Sequence, residues 1–298
     1  MTAEERKKRT FLVRTVCRYL DAAIANDPNG LPISPNLRAT YNGKEVALGA
    51  TEIWDEAICF PARQTFVDAV TMNAMFYGTA TNEADVDDGA YPYPKKNSKY
   101  KDYKEFIRSP NQWWHYLLRL HCTEDGLIDE IEEITIPNTL IHFEKQPREY
   151  PMRNLMFDSP VSAEDRLSRE EMIAITETYF DGISKYIKPE EILVHPDCQR
   201  IELGQKCTNN KKGFQSVSAR FADPNFYWIV KNRRYPVVDT ALGVCISLVE
   251  FAQARPDTNP GWTCSEAFKI VDGTFREILV TYKPMCLDSG WKGVDRVK

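Results

Sequence analysis

The amino-acid sequence predicts an α+β fold made of two copies of one unit, each a long helix followed by a meander of antiparallel strands. Three observations predict it. The stretch Arg233 to Glu250, RRYPVVDTALGVCISLVE, reads as an apolar strand, a turn over Asp239 to Gly243 and a second apolar strand. Upstream, Arg63 to Met75, RQTFVDAVTMNAM, repeats its pattern: an arginine, a valine, an aspartate at the fifth place, then an apolar strand. Arg63 and Asp68 thus match Arg234 and Asp239 at an offset of 171 residues. Further matches keep the chain order: Tyr19-Leu20-Asp21 with Tyr179-Phe180-Asp181 at 160, Asn42-Gly43 with Leu203-Gly204 at 161, and Asp125-Gly126 with Asp272-Gly273 at 147. Offsets that rise and then fall are what insertions in different loops produce.

In the first copy the apolar residues Phe11, Val13, Val16, Cys17, Leu20, Ala23 and Ile24 predict a helix from about Glu4 to Asn26, ended by Asp27-Pro28-Asn29-Gly30. Leu31 to Tyr41 reads as extended up to the Asn42-Gly43 turn, and a short helix is expected around Gly49 to Ala57. Residues 58–80 read as strand, turn and strand. Residues 83–110, with acidic residues followed by Tyr91-Pro92-Tyr93-Pro94-Lys95-Lys96, read as a surface insertion, either a solvated excursion or a lid. Trp113 to Ile136 reads as two strands broken at Glu124-Asp125-Gly126.

The pattern then restarts. Residues 138–167, with no clear period, read as a linker between a first domain over 1–137 and a second over 168–298. Ser168 and Glu171 form a capping box before a helix carrying Ile173, Ile175, Tyr179, Phe180, Ile183 and Ile187. His195 to Glu202, the hairpin, Glu266 to Gly273 and a last strand to Tyr282 complete the second copy.

With 43% hydrophobic and 11% aromatic residues, the chain has the composition of a globular protein with buried cores. Its net charge of −5 comes from interspersed acidic and basic residues, which argues against nucleic acid or anionic lipid as partner. No signal peptide or membrane span is read, so a cytoplasmic protein is expected. The eight cysteines lack any C-x-x-C pair and are expected to be reduced. His115, His121 and Cys122 are spaced too loosely to indicate a metal site.

Helix followed by a curved antiparallel sheet resembles the cone-shaped fold of the nuclear transport factor two-like superfamily, which includes SnoaL-like cyclases, ketosteroid isomerase and limonene epoxide hydrolase. The phrases RRYPVVDTALGV, HPDCQRIELGQKCTNN and SEAFKIVDGTFREI resemble more closely a functionally uncharacterised family of tandem SnoaL-like proteins. This resemblance implies two cone-shaped domains, each with an apolar pocket whose few polar groups set its chemistry. By position relative to ketosteroid isomerase, Glu202 falls at the catalytic carboxylate and Tyr179 near the tyrosine on the first helix. Tyr19 and Tyr41 correspond in the first copy, which lacks the carboxylate.

Each candidate carries two readings. Tyr179 and Tyr19 are pocket donors or core residues, and Glu202 is a general base or an exposed strand end. Arg234 and Asp239 clasp a hairpin or bind substrate, as an arginine and aspartates do in limonene epoxide hydrolase. His115 is an acid/base group or a satisfied histidine, and Trp113 and Trp228 belong to the core or suit a flat aromatic ligand. The functional expectation is a lyase, dehydratase or isomerase that needs no cofactor or metal and acts on a hydrophobic, ring-containing molecule, a lignin-type aromatic being one version. The alternative is a non-catalytic module that binds a small molecule or a protein; homo-oligomerisation stays open. The sequence shows no phosphate loop, nucleotide fingerprint or nucleophile elbow.

Overall fold

Helix α1 (Ala3–Ala25) starts at Thr2, which forms a capping box with Glu5, and stops at Asn26 in the left-handed conformation. It buries Leu12, Thr15, Val16, Tyr19, Leu20 and Ala23, a run of three- and four-residue steps that makes one stripe. Val13, Cys17 and Ile24, expected on that face, are exposed because they fall one position off the stripe. The computed structural model describes residues 1–61, 63–82, 113–137, 154–209, 215–252, 261–284 and 290–291, with only the backbone of Trp113 and Pro137. The expected insertion at 83–110 lies outside the described residues. Two compact units emerge, Met1–Asn154 and Leu155–Lys298. Of the expected linker, residues 138–153 lie outside the described residues, and helix α3 (Leu155–Asp158) falls within its last part.

Unit one continues with β1 (Ile33–Tyr41), β2 (Lys44–Glu45), α2 (Glu52–Glu56), β3 (Arg63–Asp68), β4 (Asn73–Thr81), β5 (Trp113–Cys122) and β6 (Ile128–Pro137). Its strands form one sheet in the order β2-β1-β6-β5-β4-β3. Unit two repeats the series with α4 (Arg169–Ile183), β7 (Val194–Glu202), β8 (Gln205–Lys206), α5 (Val217–Ala222), β9 (Ile229–Asp239), β10 (Val244–Ala252), β11 (Trp262–Val271) and β12 (Thr274–Lys283). The sheet order is again β8-β7-β12-β11-β10-β9. Helix α4 opens on the Ser168–Glu171 capping box and closes before Ile187, which the sequence had included.

The fold is thus α+β, with two similar units, each a helix on a curved sheet. One expectation is corrected: the sheets are mixed, because β1 runs parallel to β6 and β7 parallel to β12. Strands β3 to β6 and β9 to β12 pair antiparallel with their neighbours in chain order. The first strand is reached from a helix, and that connection leaves its direction free to match the last strand. Register shifts within several pairs mark bulges, which bend the sheet.

Strand register fixes which residues correspond. Tyr41 lies opposite Glu133, and Glu202 opposite Val280. Both β1 and β7 turn back through two left-handed residues, Asn42-Gly43 and Leu203-Gly204. Asp68 accepts from the backbone N–H of Val70 and Thr71, and Asp239 from Ala241 and Leu242, so both aspartates tie their own hairpin. The arginine match shifts by one place. Between Val237 and Arg234 strand β9 spends one residue more than its partner β10, and this bulge puts Arg233 in the place of Arg63. Accordingly Arg63 Nε donates to the Phe60 carbonyl at 2.5 Å and Arg233 Nε to the Val230 carbonyl at 3.2 Å.

Candidate active site

Strand β7 brings Arg200 and Glu202 to one face, since alternate residues on a strand share a side. Tyr179 meets them from the buried face of α4, and Glu266 from the middle of β11. Arg200 joins all three: Nε donates to Glu202 Oε1 at 2.6 Å, Nη1 donates to Glu266 Oε2 at 3.0 Å, and Nη1 also donates to the Tyr179 hydroxyl. The Tyr179 ring lies edge-on to Phe221, Phe268 and Phe275 with centroids 5.1, 5.0 and 5.7 Å away, so the polar group is set in an aromatic wall.

Glu266 is fully buried, and its Oε1 makes no hydrogen bond. Burial pushes its carboxyl up, while the Arg200 charge pulls the other way. Burial likewise raises the Tyr179 phenol, against Arg200. Tyr179 and Glu202, the pair singled out in the sequence, therefore sit in one cluster, joined by an arginine that sequence reasoning passed over. The signal was present: Cys198, Arg200 and Glu202 alternate on β7, and Cys264, Glu266 and Phe268 alternate on β11.

Unit one holds a different cluster. Tyr116 donates to Glu133 Oε1, and Trp54 Nε1 donates to the Tyr19 hydroxyl at 3.3 Å. Tyr41 donates to Glu52 Oε2 at 2.7 Å and lies 3.0 Å from the Thr135 hydroxyl. Trp114 Nε1 donates to Glu52 Oε1 at 3.2 Å. The expectation that this copy lacks a carboxylate is corrected, because Glu133 arrives from β6 rather than from β1. Burial pushes Glu133 up to about 7, against the pull of the Tyr116, Thr51 and Tyr19 hydroxyls.

Of the remaining candidates, His115, Arg234, Asp239 and Trp228 stand apart from both clusters. His115 is buried next to Tyr116 on β5 and so faces the other side of the sheet. Arg234 and Asp239 lie on the edge strand β9, separated from β7 by the three strands β12, β11 and β10. Trp228 is half-buried and packs edge-on against Phe251 and Trp262; the side chain of Trp113 lies outside the described residues. Arg233 is ion-paired with Glu177 and with Asp181, fastening α4 to β9. Among the described residues no group of three or more His, Cys, Asp or Glu could hold a metal ion, and no helix is long and apolar enough to cross a membrane.

Residues 165–281 match the family model described as a domain of unknown function (DUF8021). Tyr179, Arg200, Glu202 and Glu266 all fall inside that match. No curated protein matches the chain. Among solved structures, a de novo designed protein with a curved β-sheet is 18% identical, with 40% of this chain and 89% of its own covered and a TM-score of 0.30. A protein of unknown function with a cystatin-like fold from Methylobium petroleophilum PM1 is 18% identical, with 41% and 82% covered and a TM-score of 0.31.

Proposed function

We propose that unit two carries an acid/base site for a hydrophobic, ring-containing small molecule with a hydroxyl or carbonyl group, and that it works without a cofactor as an isomerase, dehydratase or lyase. The protein is then a tandem SnoaL-like protein of the cytoplasm, and a lignin-type aromatic is one substrate that suits it. The observation that carries the reading is the unpartnered Oε1 of Glu266, buried beside a guanidinium and a phenol. A buried carboxyl oxygen without a donor costs on the order of 1–3 kcal/mol, and a substrate hydroxyl or acidic C–H approaching it would remove that deficit. Glu266, raised by burial, moves the proton. Arg200 and Tyr179 stabilise the charge that develops on the substrate oxygen. Glu202, given the base role from sequence, is bound to Arg200 at 2.6 Å and instead positions that guanidinium.

The test is solvent exchange. A panel of cyclic ketones, aryl ketones and aryl ether dimers is incubated with the protein in D₂O, and deuterium uptake is followed by mass spectrometry. Glu266→Gln is expected to lower exchange by about 10²-fold or more, and Tyr179→Phe by about 10²-fold. Glu202→Gln should have a smaller effect. Wild-type exchange in Glu266→Gln removes the acid/base assignment, and no exchange on any member favours the binding module.

A further inference from the structure

Tyr179, Glu202 and Glu266 are all buried, so a substrate reaches them only when an element that covers them moves aside. Strands β7 and β11 are tied into the sheet, and α4 is fastened to β9 through the ion pairs of Arg233 with Glu177 and Asp181. Helix α5, only six residues long, is held in another way. Its Phe221 ring is 2% exposed, stands edge-on to Tyr179 at 5.1 Å and lies against the bare Cα of Gly182, where an added Cβ would come within 3.3 Å of the ring. Beyond the helix the chain packs on itself. Arg220 Nη1 is 3.6 Å from Asp223 Oδ2, the Arg220 guanidinium lies 4.1 Å from the centre of the Phe226 ring, and the Phe221 and Phe226 rings are 6.4 Å apart. The Phe226 N–H donates to the Asp223 carbonyl at 3.2 Å, and Ser216 caps the start of the helix by accepting from the Ala219 N–H. Residues 216–226 thus form one packed piece.

Lys185 ties this piece back to α4. It stands just past the end of that helix in the left-handed conformation, with φ of 58°, and its Nζ donates to the Phe221 carbonyl at 2.7 Å and to the Asp223 carbonyl at 3.1 Å. Carbonyls at a helix C-terminus lack donors of their own and favour a cation there. We propose that residues 216–226 are a gate over the unit-two site, with Phe221 as the plug and Lys185 as the latch, and that the gate swings about Tyr227 to admit substrate. This rests on the acid/base reading of that site. Lys185 is exposed, and an exposed ammonium exchanges such bonds for water at small net cost, so the latch is releasable. Tyr227 is 40% exposed and lies between the packed piece and Trp228, whose N–H is anchored on the Ile183 carbonyl at 3.4 Å. Opening draws the Phe221 ring away from Tyr179, and the rate of substrate entry scales with the fraction of molecules that stand open.

Hydrogen–deuterium exchange on the full chain tests the gate without any ligand. In the wild type the backbone amides of 217–223 are expected to exchange about 10-fold or more faster than those of β11, because they open locally while the sheet stays closed. Lys185→Met keeps the apolar stem and removes the donors; it should speed exchange over 217–226 by a further factor of about 10 and leave α4 and β11 unchanged. Lys185→Arg restores a donor and should restore slow exchange. With the cyclic and aryl ketones in D₂O, Lys185→Met should raise deuterium uptake at sub-saturating ketone by about 5-fold, a gain that mere loss of structural support would not give. Exchange over 217–223 as slow as in β11, or a Lys185→Met effect spread evenly over unit two, overturns the gate. Local opening released by Lys185→Met, with no ketone turned over, supports the gate and removes the acid/base reading. Turnover that Lys185→Met changes neither in rate nor in local exchange keeps that reading and removes the gate.

Discussion

Two buried carboxyls, Glu133 set among hydroxyls and Glu266 held by a guanidinium, are both raised by burial. Among the described residues only hydroxyls oppose burial at Glu133, which is pushed up to about 7; at Glu266 it is Arg200 that opposes. A carboxyl whose folded pKa exceeds its unfolded value binds more protons in the folded state, so its contribution is fully present below the unfolded pKa and is lost as pH rises through the folded one. For Glu133 that window runs from the ordinary carboxylate value up to about 7. Its full span is on the order of 3 kcal/mol. Urea midpoints are therefore expected to fall between about pH 5 and about pH 8, and Glu133→Gln should flatten most of that slope. An unchanged slope in the variant would show that Glu133 is not the buried proton carrier.

Hairpins and caps were legible because their causes are local. Ser168 and Glu171 announce a helix start by themselves, and Asp239 to Gly243 announces a turn. The parallel pairing of β7 with β12 was not, since the direction of a remote neighbour leaves no mark in either strand. The one-residue bulge in β9 was hidden for the same reason, and it moved the arginine match from Arg234 to Arg233. Two glycines at hairpin turns show what local sequence cannot say. Gly243 and Gly273 both have positive φ, at 60° and 68°. A Cβ at Gly243 would lie 2.3 Å from the Ile270 carbonyl oxygen and 2.7 Å from Val161, whereas one at Gly273 would meet nothing within 4 Å. Gly273→Ala should therefore cost only the backbone strain, about 1 kcal/mol, while Gly243→Ala should cost about 2 kcal/mol more, because backbone cannot yield to the clash. Equal losses in thermal unfolding would remove the packing argument at Gly243.

Over the whole molecule the doubling of the unit was readable, because turn residues and a helix tyrosine recur in order. The two polar clusters were less so. Tyr179 and Glu202 could be matched by position, but Arg200 and Glu266 become partners only when β7 and β11 stand in one sheet with β12 between them. In unit one the carboxyl changed strand, from β1 to β6, which no positional match can follow. Cysteines report on both units at once. Seven of the eight lie among the described residues, all free, with Cys286 outside them. Cys122 is buried in unit one, and Cys198 and Cys207 in unit two; burial pushes Cys122 and Cys198 up to about 12 and raises Cys207 as well. The thiolate is the reactive form, so neither access nor ionisation favours attack at these three. Cys17 is exposed. A maleimide at neutral pH is expected to label Cys17 first and to spare Cys122, Cys198 and Cys207 until denaturant opens their unit, when intact mass should show about eight adducts. Labelling of any of the three at the rate of Cys17 in the folded protein would mean that its unit does not close around it, and two or fewer adducts after unfolding would mean disulfides.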